Sequence, residues 1–175
     1  MRRKVVIFVI LWVFFILQTT VFQLQTVTGV SPNLLLFLTV SLAFMQGKKE
    51  GLVVGFLGGL LIDLFYSRTL GFHALIYLLI GYGTGYFCHV FFDEDVKMPI
   101  ILVAVTDFIY SMYIYVFGFL LRGRLEFGIY FTQIILPEII YTVLITLIFY
   151  RLLFKINHAL MDRQKEERQS LWIRD

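Results

Sequence analysis

The chain has 175 residues, of which 59% are hydrophobic and only 15% are charged, and its formal net charge is +3. Ordinary soluble domains carry about 25% charged residues, so this composition predicts an integral membrane protein. The apolar stretches use most of the length, and we expect one membrane domain without a separate soluble one. A single cysteine excludes an intramolecular disulfide and a cysteine-based zinc site. The basic residues cluster at the ends of apolar stretches, so nucleic-acid binding is not expected.

The first apolar stretch, VVIFVILWVFFIL, follows a basic MRRK start, as in a signal peptide. The segment QTTVFQLQTV that comes next has no convincing small-residue cleavage site. We therefore expect this stretch to be retained as the first transmembrane helix.

Six stretches approach the roughly 20 residues that a helix needs to cross the hydrocarbon core. The second and third are short and could form a re-entrant hairpin with GKKEG at its tip. That tip would lie near the bilayer centre, where each charge costs at least ~2.5 kcal/mol, so two short spans are preferred. The sequence predicts an all-α membrane domain over residues 1–154, with spans at about 5–22, 33–46, 51–66, 72–91, 98–121 and 129–150.

The end of the chain carries two further predictions. Pro137 lies inside the sixth span and should kink that helix, because proline lacks a backbone donor. Residues 155–175 contain no proline or glycine and mix both charges, so they should continue the last helix as a charged tail. This tail is either solvated or rests on the membrane surface.

The distribution of lysine and arginine predicts the orientation. With the N-terminus inside, the outer loops carry only Arg68, Arg122 and Arg124 out of 15 basic residues. Because short cytoplasmic loops are enriched in lysine and arginine, both termini are predicted to face the cytoplasm.

Three acids fall within the predicted spans, where a carboxylate must be paired, protonated or hydrated. Asp63 ends the outward-going third span and His73 begins the returning fourth span. We predict that these two side chains join the helix ends near the outer surface, with Arg68 as a further possible partner. A metal site or proton relay would need further ligands at the same depth, and the sequence shows none.

Asp107 and Glu138 are the other two acids. Asp107 shares a helix face with Ser111, and Glu138 directly follows Pro137. Either acid could line a cavity or bond to a partner helix. The preferred interpretation is that hydroxyl groups within the bundle satisfy each carboxyl group.

Glycines form two stripes with four-residue spacing, a pattern that lets membrane helices approach closely. Gly51, Gly55 and Gly59 form the first stripe, and Gly81 and Gly85 form the second. We predict that the third and fourth helices pack tightly against each other. The sequence has no GxSxG, HExxH or phosphate-loop motif, so we expect neither an enzyme nor a bound cofactor.

Three segments together resemble the rod shape-determining protein MreD family. They are SPNLLL at 31–36, EGLVVGFLGGLLIDLF at 50–65 and LGFHALIYLLIGYGTG at 70–85. The resemblance covers roughly residues 31–86, and elsewhere only the hydropathy is similar. The positions that match the family pattern are Pro32, Asn33, Gly55, Gly59, Asp63, Gly71, Gly81 and Gly85.

The resemblance implies a non-enzymatic scaffold of the bacterial cell-elongation machinery, located in the inner membrane among its lipids. Proteins of this family associate with the single-span protein MreC. Through MreC they associate with the actin-like MreB and with the glycosyltransferase and transpeptidase that build the wall. We therefore interpret Asp63 as a conformational or interface anchor that holds the two helix ends a periplasmic partner would contact, with His73 as a further interface candidate.

The architecture is also similar to the substrate-binding subunits of energy-coupling-factor vitamin transporters, which gives an alternative function. Those subunits dock on a coupling subunit through small residues of their first helix. Here the first helix is bulky throughout, which counts against transport. A proton path through Asp107 and Glu138 is a third alternative, but no internal repeat supports it.

Overall fold

The computed structural model describes residues 2–21, 30–67, 69–89, 97–118, 120 and 127–172, with side chains described for 5–20, 30–67, 69–88, 97–118, 120 and 127–157. Within these ranges the chain forms six helices and no strand. The first five helices are α1 (Arg2–Ile16), α2 (Leu34–Gln46), α3 (Lys48–Tyr66), α4 (Phe72–Thr84) and α5 (Lys97–Gly118). Helix α6 begins as Phe127–Tyr130, passes through a π-helical segment, Phe131–Ile135, and continues as Leu136–Trp172.

Two helical segments in the described chain have the length and apolar composition needed to cross a membrane. These are Lys97–Gly118, which is α5, and Phe127–Asn157, the first part of α6. Three further apolar helices are shorter: Val5–Thr20, Leu34–Gln46 and Phe72–Thr84. The structure therefore supports a membrane protein, whereas the crossing of all six predicted spans stays a prediction.

Helix α2 is the centre of the bundle. All its residues from Leu34 to Met45 are buried, and the helix contacts each of the other five described helices. Its sequence LLLFLTVSLAFM is apolar on every side, which is typical of a helix enclosed by others. At 13 residues it is about 20 Å long. Contact with neighbouring helices, rather than with lipid, accounts for its burial.

A single residue, Gly47, separates α2 from α3. Its backbone has φ 91° and ψ −177°, a conformation that only glycine adopts readily. Gly47 is part of the charged GKKEG segment that the sequence placed at a helix turn.

The adjoining Lys48 places its ammonium group 3.3 Å from the centroid of the Tyr86 ring, which is a cation–π contact.

Helix α4 is shorter than its predicted span. Helix α4 ends at Thr84, followed by a 3₁₀ turn at Phe87–His89, whereas the sequence predicted a span to residue 91. The glycine-rich segment GYGTG has low helix propensity, which accounts for the earlier end.

In α6, the π-helical segment Phe131–Ile135 lies immediately before Pro137, at the turn where the proline ring would clash with a preceding carbonyl group. π-Helical segments are common places for helices to bend. The kink itself stays a prediction, but the helical backbone is irregular directly before Pro137, where the kink was predicted. The C-terminal tail is helical to Trp172, as the sequence predicted.

Candidate functional site

The α3–α4 pair is held together by backbone contact at glycines. A Cβ atom built on Gly55 would lie under 3.0 Å from the backbone of Tyr77. A Cβ atom on Gly59 would lie 2.5 Å from the Ala74 Cα atom. On Gly51, it would clash with the Gly81 carbonyl oxygen of α4 and with the Ala43 Cβ atom of α2. The stripe therefore lets the two helices approach more closely than any side chain allows.

The second stripe faces the first. A Cβ atom on Gly81 would clash with the backbone of Gly51, and one on Gly85 would lie 2.5 Å from the Lys48 Cα atom. By contrast, a Cβ atom on Gly58 would make only ordinary contacts, the closest at 3.7 Å. The predicted close packing of these helices is confirmed, and it depends on particular glycines.

The Asp63 carboxylate lies at the end of the α3–α4 contact that is predicted to face outward. It accepts hydrogen bonds from the first turn of α4. The donors are the backbone N–H groups of Gly71 at 2.9 Å, His73 at 3.0 Å and Ala74 at 2.9 Å. The His73 ring contributes a fourth contact, since its Nδ1 lies 2.8 Å from Asp63 Oδ1. The predicted contact between Asp63 and His73 is confirmed, whereas Arg68 lies outside the described residues.

Asp63 caps α4 from a different helix. Gly71 occupies the N-cap position with φ 95° and has no side chain to cap the free N–H groups. Asp63 supplies that function, and its negative charge lies at the positive end of the α4 dipole. The carboxylate is 1% exposed although it is charged. Four polar contacts compensate for the loss of water around it.

Helix α5 also contacts the beginning of α4. The Tyr113 hydroxyl donates to the Phe72 carbonyl oxygen at 3.3 Å, and the two rings lie 4.8 Å apart. Phe117 contacts the same Phe72 ring edge-on at 6.2 Å. The ends of three helices, α3, α4 and α5, thus meet at the beginning of α4, next to Asp63.

Pro32 and Asn33, the other matching positions, lie in the bundle interior. Asn33 is 3% exposed and caps α2, since its Oδ1 accepts from the Leu36 N–H group at 3.3 Å. The same oxygen accepts from the Tyr77 hydroxyl at 2.5 Å, which ties α2 to α4. Asn33 also donates its N–H group to the Thr142 hydroxyl of α6 at 3.1 Å. These contacts give Asn33 a structural role within the bundle.

The remaining two acids, Asp107 of α5 and Glu138 of α6, lie at the same helix interface. The Ser111 hydroxyl donates to Glu138 at 3.2 Å, so the prediction that a hydroxyl satisfies Glu138 is confirmed. The same prediction is wrong for Asp107 among the described residues. Asp107 is fully buried, and neither of its carboxyl oxygens has a hydrogen-bond partner there. The Ser111 hydroxyl, four residues away, bonds across the interface instead.

Sequence reasoning joined the two acids only in the proton-path alternative and did not place Ser111 between them. Their helices are distant in the chain, and neither acid has a partner at a spacing that would reveal the other. The α5–α6 contact brings Asp107, Ser111 and Glu138 together. Within the described residues, no three His, Cys, Asp or Glu side chains are grouped as a metal site.

Comparison with known proteins gives one match. The family model described as rod shape-determining protein MreD matches residues 1–159 of the 175-residue chain. No curated protein and no solved structure shows a significant match.

Proposed function

This chain belongs to the rod shape-determining protein MreD family, a family of membrane proteins, and we propose that it is a non-enzymatic scaffold of the cell-elongation machinery. In this role it binds MreC and, through MreC, MreB and the wall-synthesising glycosyltransferase and transpeptidase. The observation that supports this proposal is the family match over nearly the whole chain. A scaffold acts by positioning its partners, which requires a rigid surface.

The proposed topology has six spans in the bacterial cytoplasmic membrane, with both termini in the cytoplasm. The distribution of basic residues supports this orientation, which places the Asp63 cap and the beginning of α4 toward the periplasm. A resemblance of this bundle to energy-coupling-factor substrate-binding subunits stays a prediction.

A groove between α4 and α5 is the place where we expect a partner helix to bind. It has a volume of about 620 Å³ and is lined almost entirely by apolar side chains. Several of these are about half exposed, among them Leu79, Ile101 and Val105. In a membrane, such a groove is filled either by lipid chains or by another helix.

Gly83 favours a helix as the occupant. It lines the groove, and a Cβ atom built on it would meet no atom within 4 Å. Gly81 and Gly85, its neighbours, face α3 and are fully engaged there. An open glycine on a groove floor lets another backbone approach closely, as in other membrane helix pairs. We assign this groove to the single membrane helix of MreC.

Leucine in place of Gly83 is expected to fill the groove and block the partner helix without disturbing the bundle. The recovery of MreC with a tagged chain should fall by about tenfold, equivalent to ~1.4 kcal/mol of binding energy. The measurement is quantitative co-purification from gently solubilised membranes, at matched expression levels.

The control is Gly128→Leu, since Gly128 also has open space around it but lies outside the groove, at the beginning of α6. This variant should recover MreC like the unmodified chain. Full recovery with Gly83→Leu would show that MreC does not bind in this groove, and would leave the family assignment intact.

A further inference from the structure

Asp107 is a carboxyl group in an unusual position. It is 0% exposed, and neither of its oxygens has a hydrogen-bond partner in the described part of the chain. An ionised carboxylate taken out of water without compensation costs many kcal/mol. Structural carboxylates avoid this cost by accepting several donors, as Asp63 does. An Asp107 carboxylate without such donors therefore requires a positive charge close to it.

The neighbouring polar groups do not supply this charge. The side chains of Thr142 and Asn33 lie beside Asp107. The Thr142 hydroxyl already donates to the backbone oxygen of Glu138 at 2.8 Å. The Asn33 Oδ1 atom accepts from Tyr77 and Leu36, and the Asn33 NH₂ group is neutral and makes no hydrogen bond to either Asp107 oxygen. The hydroxyl protons at this interface point away from Asp107, which leaves oxygen lone pairs around it.

A second acid increases the need for a cation. Glu138 lies close enough to Asp107 for the two carboxyl groups to repel when both are charged. The Ser111 hydroxyl donates to Glu138, which leaves the Ser111 lone pairs free. Among the described residues, neither acid forms an ion pair with a lysine, arginine or histidine. Two carboxyl groups thus face each other across the α5–α6 interface.

We propose that Asp107 and Glu138 form a buried binding site for a monovalent cation, completed by the oxygens of Ser111 and Thr142. Carboxylate and hydroxyl oxygens without nitrogen or sulfur suit hard cations. The bound charge neutralises the pair and holds α5 against α6. The cation is a sodium ion or a proton, because either one supplies the missing positive charge.

The groups that face Asp107 are few, which makes the site testable by pH and salt. Glu138 faces it from α6, Tyr77 from α4 and Tyr110 from its own helix. Helix α2, the other helix packed against α5, has no titratable side chain in Leu34–Gln46. A cation-dependent change in stability that needs Asp107 therefore reports on this pair.

The test is thermal unfolding of the purified full chain in detergent, with sodium chloride exchanged for choline chloride at constant ionic strength. We expect sodium at 100 times its dissociation constant to raise the unfolding midpoint by about 5 °C or more. If the proton is the cation, sodium has no effect, and the midpoint instead falls as the pH is raised from about 4 through neutral, because the unfolded chain releases these protons at lower pH. Stability that depends on neither sodium nor pH in this range would overturn the proposal.

Asp107→Asn tests the assignment to this pair. Asparagine keeps the shape but not the charge, so a sodium dependence should disappear, and a pH dependence should shrink to the part that Glu138 causes alone. Glu50→Gln is the control, because it removes a carboxylate from the first turn of α3 and should leave the dependence unchanged. Should Asp107→Asn not fold, Ser111→Ala is the second variant and should weaken the dependence at least about threefold. A sodium or pH dependence that is unchanged in Asp107→Asn would contradict the site.

Discussion

Alanine in place of Gly59 is expected to lower the free energy of unfolding by about 2–3 kcal/mol. The new Cβ atom would lie 2.5 Å from both the Ala74 Cα atom and the His73 carbonyl oxygen. Both are backbone atoms and cannot rotate away, so α3 and α4 must separate. Leucine at the same position should prevent the pair from assembling and reduce the recovery of partner proteins. The measurement is unfolding in detergent or lipid, followed by co-purification.

The adjoining residue supplies the control. A Cβ atom on Gly58 would meet its nearest neighbours, Thr39 and Tyr77, at 3.7 and 3.8 Å, which are ordinary contacts. Alanine also favours the helical state over glycine by up to about 1 kcal/mol. Gly58→Ala should therefore be neutral or slightly stabilising. If Gly58→Ala and Gly59→Ala lower the free energy of unfolding equally, the close contact between α3 and α4 at Gly59 is contradicted.

Asparagine in place of Asp63 has the second large expected effect. The carboxylate uses both oxygens to accept from Gly71, His73 and Ala74. An amide offers one acceptor and turns its NH₂ group toward another donor. We expect a loss of about 2–3 kcal/mol in the free energy of unfolding, with membrane insertion unchanged. Cells that depend on the variant should be shorter and rounder, because the surface at the beginning of α4 loses its rigidity.

Two measurements check this expectation: the unfolding midpoint of the purified variant, and the length-to-width ratio of complemented cells. Ser67→Ala is the control, since Ser67 lies at the same helix end and, among the described residues, its hydroxyl group bonds to the backbone of Thr69 in the exposed turn. It should retain normal stability and cell shape. Rod-shaped cells with the Asp63 variant would refute the role of this cap in function.

The sequence predicted the α3–α4 pair well because the physical signal is local. Glycines at four-residue spacing lie on one helix face, and both stripes come from neighbouring segments. The Asp63 contact with His73 followed from the short turn between them. What the sequence did not reveal is that Asp63 mainly binds backbone N–H groups. That detail depends on Gly71, which leaves the N-cap position without a side chain.

Long-range features were harder to predict. The composition of α2 shows that it is apolar on all sides, but only the packing shows that it contacts every other described helix. The same holds for Asp107, whose lack of a partner depends on where the Thr142 and Ser111 hydroxyl groups point. Glycine spacing also did not distinguish Gly83, which faces an open groove, from Gly81 and Gly85, which are packed. Such differences depend on the angle between helices.

The most direct test of the scaffold function is affinity co-purification of the tagged full chain from gently solubilised membranes, with mass spectrometry of the recovered proteins. A scaffold function predicts recovery of MreC together with the wall-synthesising glycosyltransferase and transpeptidase, and lower recovery with Gly59→Leu. Recovery of paired ATPases with a coupling membrane subunit, and no MreC, would contradict it. That result would indicate a vitamin-transporter subunit, whose ligand cavity would then have to be sought in the bundle.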